Sequence, residues 1–136
     1  MKISAKSEYA CLAMLALARL GPDDPPARIR DISEGDAIPE RYLVQILLQL
    51  KGAGLVASTR GALGGYRLAR PASTITLGEV LTAIEGPDLP TREANRPGAR
   101  ALAAVWQHVR DAERAVLDQT SIAQLAELAA PHEWVI

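Results

Sequence analysis

The sequence predicts a mainly α-helical chain carrying one small β-hairpin, the winged helix-turn-helix class. Residues 39–70, PERYLVQILLQLKGAGLVASTRGALGGYRLAR, run an amphipathic helix into a glycine-tipped hairpin. A shorter helical segment and a tight link stand directly before that helix, in helix-turn-helix order. From Arg41 to Arg70 there are five basic side chains and no acidic one.

Each element has a local reason. Ser7 can cap a first helix running to about Leu20, with Tyr9, Leu12, Ala13, Ala16 and Leu20 as its buried stripe and Gly21-Pro22 as its end. A polar loop, Asp23 to Pro26, leads to a short helix from about Ala27 to Glu34 that buries Ile29 and Ile32. Gly35 to Ile38 is the tight link. Pro39 suits a first helical position, and Tyr42, Leu43, Ile46, Leu47 and Leu50 recur at helical spacing before Gly52 and Gly54 stop the helix. Leu55 to Thr59 and Tyr66 to Ala69 read as strands, joined by a turn whose unusual backbone angles Gly61, Gly64 and Gly65 supply. Thr76 with Glu79 matches a capping box opening a helix through Val80, Leu81 and Ile84, which Gly86-Pro87 ends.

The rest of the chain is a proline-punctuated loop and two helices. From about Ala99 to Gln119, Leu102, Val105, Trp106, Val109, Ala112, Val116 and Leu117 line one side of a helix too long for the small domain alone. Ser121 with Gln124 opens a last helix holding Ile122, Leu125 and Leu128, which Pro131 ends. The expected division is a DNA-binding unit at 1–85, a loop at 86–98 and a dimerisation region at 99–136.

Charge is unevenly spread although the net value is only −1. Residues 1–70 hold ten Lys or Arg against seven Asp or Glu, a balance of +3, and residues 71–136 hold five against nine, a balance of −4. Local field decides what a surface meets, so the basic half can face phosphates. The single Cys11 allows no internal disulfide and fits a reducing, cytoplasmic setting. Lys2, Lys6 and the apolar run Tyr9 to Ala18 imitate a secretory leader, with Ala16 and Ala18 as a cleavage site; Glu8, Arg19 and the core's need for that helix argue against it. No stretch is long enough to span a membrane.

The candidate contacts follow from the motif. Arg41 and Gln45 lie near the start of the second helix of the pair, where arginine can pair with guanine and glutamine with adenine. Tyr42 suits the core, a phosphate or a base edge. Arg60 enters the hairpin tip, where a guanidinium can occupy a narrow minor groove. Lys51, Ser58, Thr59 and Arg67 suit phosphates, and Gly64 and Gly65 shape the tip. The bland alternative is a solvated hairpin with incidental charge. The segment Gly61 to Gly65 is no nucleotide loop, because neither Lys-Ser nor Lys-Thr follows it. His108 and His132 lack metal-ligand spacing, so surface or interface roles suit them better. No nucleophile-base pair supports an enzyme.

Several of these stretches together resemble a known family. Tyr9-Ala10, Ile38 to Leu43, Gly54-Leu55-Val56, Ser58 to Gly65, Ile75-Thr76-Leu77 and Glu85-Gly86-Pro87 are similar to the IscR/NsrR/RirA/CymR family of winged-helix transcriptional regulators over nearly the whole chain. The resemblance implies a homodimer joined through the long helix, by Leu102, Val105, Trp106, Val109 and Val116, straddling a palindromic site on double-stranded DNA. Many members hold an iron-sulfur cluster through three cysteines after the Glu-Gly-Pro segment. Here those places fall at about Asp88, Ala94 and Arg100, and a histidine place falls at Ala103. Glu8 matches an acidic ligand position of some members, but one hard carboxylate without thiolates does not hold a soft cluster. The expectation is a cluster-free regulator of the cysteine-poor branch, more a repressor than an activator. A small-molecule or protein effector would act through the loop at 86–98. The rival reading is a winged helix used only as a protein-interaction module.

Overall fold

The computed structural model describes residues 1–87 and 95–130. Helix α1 (Ala5–Ala18) is the hub, packed by α2 (Ile29–Asp36), α3 (Glu40–Gly52), α4 (Leu77–Glu85) and α6 (Ile122–Ala129). That position shifts the expected stripe, of which Ala13 is sealed as expected. Ser7, Ala10, Ala13, Met14 and Leu17 are the sealed positions, while Tyr9, Leu12, Ala16 and Leu20 are only partly covered. A helix surrounded by partners has no single apolar face for periodicity to report. The cap also moves: Ser4 accepts the Ser7 amide at 3.1 Å, leaving the Ser7 hydroxyl for a longer-range partner.

The helix pair forms as expected, with adjusted ends. Helix α2 runs to Asp36, and Ala37 takes the left-handed conformation at φ 54°, a turn that glycine would make without its side-chain penalty. Ile38 then enters the core, and Pro39 is the cap of α3 rather than its first helical residue. Leu43, Ile46, Leu47 and Leu50 are sealed against α1, whereas Tyr42 stays 42% exposed. At the far end Gly52 is still helical and Gly54, at φ 76°, turns the chain.

Strands β1 (Val56–Thr59) and β2 (Gly65–Leu68) pair antiparallel with Ser58 opposite Tyr66 and Thr59 opposite Gly65. An unforeseen third partner is the segment before α2. Ala27 and Tyr66 exchange backbone hydrogen bonds of 3.0 and 2.8 Å. At the hairpin tip only Gly61 has positive φ, at 106°. Gly64 and Gly65 are needed for room instead: a Cβ would lie 2.1 Å from the Thr59 carbonyl oxygen and 2.5 Å from that of Ala27, respectively.

A single 3-10 turn (Ala72–Thr74) leads into α4, whose cap Thr76 accepts the Glu79 amide at 3.1 Å. The Glu79 carboxylate does not close the box; it takes Arg70 at 2.7 and 2.9 Å. Helix α5 (Pro97–Gln119) docks on α4 where Arg114 donates to the Thr82 hydroxyl at 2.9 Å. Ser121 and Gln124 form the full capping box of α6, and Ile122 seals the core. Pro131 and His132, like Asp88 and Ala94 of the loop, lie outside the described residues. Among the described residues no helix is long and apolar enough to cross a membrane.

Candidate nucleic-acid interface

Burial divides α3 into two faces. With Leu43, Ile46, Leu47 and Leu50 turned inward, the helix presents Arg41, Val44, Gln45, Leu48 and Lys51 outward, one stripe along its length. Two of these, Val44 and Leu48, were given no role by sequence reasoning. Their 41% and 58% exposure places apolar surface between the polar groups, which suits thymine methyls. The outward direction of Val44 and Leu48 follows from the helical spacing of Leu43, Ile46, Leu47 and Leu50, but that spacing says nothing of what an outward apolar side chain meets. His108 is exposed on α5, remote in sequence from this face.

The start of the stripe is ordered from below. The Arg41 guanidinium carbon stands 5.1 Å from the centre of the Tyr42 ring. That ring in turn leans on Tyr9 of α1, with centroids 6.4 Å apart. Cation–π attraction of this kind restricts a side chain that otherwise samples many rotamers.

The five basic residues divide by use. Arg70 is spent on Glu79, and Arg67 donates to the Asp24 carbonyl, so an internal contact holds the group expected at a phosphate. Arg41, Lys51 and Arg60 are exposed. Arg60 follows Thr59, the last residue of β1, just before Gly61, and Leu63, three residues on, is 80% exposed. Ser58 is half-buried and Thr59 exposed, with Gly64 and Gly65 forming the inner side of the turn.

The ligand set of an iron-sulfur cluster does not fit this chain. Cys11 is the sole thiol, and burial, with Glu8 adding to it, pushes its pKa up to about 11, the opposite of a ligand thiolate. Among the described residues no group of three or more His, Cys, Asp or Glu converges on one point. Arg100 and Ala103 offer no thiolate or imidazole at two of the corresponding places.

An exposed recognition helix beside a basic-tipped wing defines a winged helix-turn-helix DNA-binding protein. The chain belongs to the Rrf2 family, whose model, described as an iron-dependent transcriptional regulator, matches residues 3–128. It is similar to the HTH-type transcriptional regulator CymR of Bacillus subtilis, 38% identical over 128 residues that cover 93% of this chain and 90% of that protein. It is likewise similar to the HTH-type transcriptional regulator IscR of Yersinia pestis, 37% identical over 130 residues, covering 92% and 79%. Among solved structures, CymR, the global cysteine regulator of B. subtilis, superposes with a TM-score of 0.81 at 36% identity, covering 94% of this chain and 98% of that one. IscR of T. potens superposes at 0.80 with 31% identity, covering 96% and 89%. The relatives are transcriptional regulators, not enzymes, and the chain is a DNA-binding regulator of this family.

Proposed function

We propose that the chain is a cytoplasmic repressor that binds a palindromic operator as a homodimer and works without an iron-sulfur cluster. The observation that carries the reading is the stripe Arg41, Gln45, Lys51 on the outer face of α3, adjoining in sequence a wing whose tip offers Arg60. Arg41 and Gln45 read base edges, Val44 and Leu48 pack on the groove floor, and Arg60 enters the minor groove. Lys51, Ser58 and Thr59 meet phosphates and supply a salt-dependent share of the affinity. Arg67 supports the wing from inside instead.

The long helix supports the dimer. Helix α5 has no buried residue in the isolated chain, and Leu102, Val105, Trp106, Val109 and Val116 stay 44–64% exposed along one side. An apolar stripe of that length calls for a partner, and a second copy supplies an identical stripe across a two-fold axis. The two recognition helices would then read half-sites about one helical turn apart.

Selection of bound fragments from a genomic library tests the reading. Enrichment of one inverted repeat at moderate salt is the expected result. An unselective pool would favour instead a module whose basic face meets acidic protein. Anaerobically purified protein should be colourless, and a brown solution with charge-transfer absorption would contradict the cluster-free assignment.

A further inference from the structure

A two-stranded hairpin with four-residue strands is marginal by itself, yet a minor-groove side chain needs a fixed stalk. Here the stalk is splinted at three heights by one segment, residues 24–28. At the base Arg67 donates to the Asp24 carbonyl. Midway, Ala27 and Tyr66 exchange their backbone bonds, and the missing side chain of Gly65 lets the Ala27 carbonyl come close. At the tip Arg28, the residue preceding α2, donates its guanidinium Nη2 to the Ala62 carbonyl at 2.5 Å. Ala62 lies two residues beyond Arg60, so this last bond ties the wing tip to the first helix of the helix-turn-helix.

We propose that Arg28 is a positioning residue for DNA binding, clamping the wing tip to α2 so that Arg60 meets the groove already aimed. The proposal rests on the reading that Arg60 contacts DNA. Its physical content is preorganisation: ordering the tip before encounter removes that cost from association. Arg28 therefore spends its charge-assisted bond inside the protein, and a count of basic residues around the wing would wrongly assign it to a phosphate.

Two readouts separate this role from a direct phosphate contact. In titrations against a selected operator duplex, Arg28→Ala is expected to weaken binding roughly three- to tenfold. Arg60→Ala is expected to weaken it by roughly ten- to a hundredfold. If Arg28 acts by aiming Arg60, the double variant binds no worse than Arg60→Ala alone. Losses that multiply would show two independent contacts and overturn the proposal.

The second readout needs no DNA. Hydrogen exchange at the tip, including the Gly64 amide bonded to the Gly61 carbonyl at 3.0 Å, should speed up in Arg28→Ala while α3 keeps its protection. An unchanged tip would overturn the clamp even if affinity fell. Absence of any selective duplex binding by the unsubstituted protein would sink the regulator reading, and the DNA role of Arg28 with it, whatever the exchange result.

Discussion

Ser7, only 1% exposed, donates its hydroxyl to Glu85 Oε1 at 2.6 Å and so ties the first turn of α1 to the last residue of α4. Ser4 donates to the same oxygen while it caps α1. One carboxylate thus joins the hub helix to the C-terminal end of α4.

That carboxylate gives a pH dependence of definite sign. The hydroxyls of Ser4 and then Ser7 hold Glu85 below the ordinary glutamate value of 4.5, with Lys6 assisting and partial desolvation opposing. A depressed acid contributes stability that is present above its unfolded-state pKa and lost as pH falls through the folded one. The unfolding midpoint should therefore drop as the solution is acidified below about pH 4.5. Glu85→Gln should flatten that part of the profile. Parallel acid limbs for the two proteins would show that Glu85 carries none of it.

If Arg41 reads a base as proposed, the Tyr9–Tyr42–Arg41 stack makes Tyr42 its support. Tyr42→Leu should weaken operator binding by about two- to fivefold, the value of an exposed cation–π contact, and Tyr42→Phe should bind like the parent. Competition titrations with the two variants decide it. A Phe variant as weak as the Leu variant would reassign the tyrosine hydroxyl to a direct phosphate contact.

Much of the fold was legible because α2, α3, α4 and α6 each turn one side to the core and carry local punctuation. The Thr76 and Ser121 caps and the Leu43-Ile46-Leu47-Leu50 face follow from neighbours three or four residues away. What escaped depends on distant partners. Ser4 and Ser7 are equivalent caps by type, and only Glu85, some eighty residues on, sorts them. Tyr66 reads as a two-stranded hairpin residue until Ala27 pairs with it. Arg67 looks like a phosphate ligand, and Arg28 draws no notice, because the carbonyls that take them, those of Asp24 and Ala62, leave no trace in side-chain chemistry. Gly64 and Gly65 were assigned to the tip for the wrong reason, since close approach and left-handed angles ask for the same residue.

Cys11 should be a poor redox sensor. With its pKa raised to about 11 by burial, the reactive thiolate at pH 8 is about one part in a thousand. Reaction with a thiol-specific chromogenic disulfide should be slow in the native protein and become fast when denaturant unfolds it. Rapid labelling of the folded protein would restore Cys11 as a candidate switch.

In the proposed dimer, the stripe on α5 makes the oligomeric state sensitive to one side chain. Trp106 is 54% exposed in the isolated chain, and Trp106→Glu would bury a charge in a two-fold interface. Sedimentation at micromolar concentration should show a dimer for the parent and a monomer for the variant, with helical circular dichroism retained. Identical sedimentation of both would place the dimer contact elsewhere or remove it.

The most direct test of sequence-specific recognition is the ratio of two affinities measured in one buffer, for the selected inverted repeat and for the same duplex with its half-sites scrambled. Specific readers exceed their own nonspecific binding by about a thousandfold or more, and Arg41, Gln45 and Arg60 are expected to produce a ratio of that order. A ratio near one, at a salt concentration where both duplexes still bind, would mean that the basic stripe holds phosphates without reading bases.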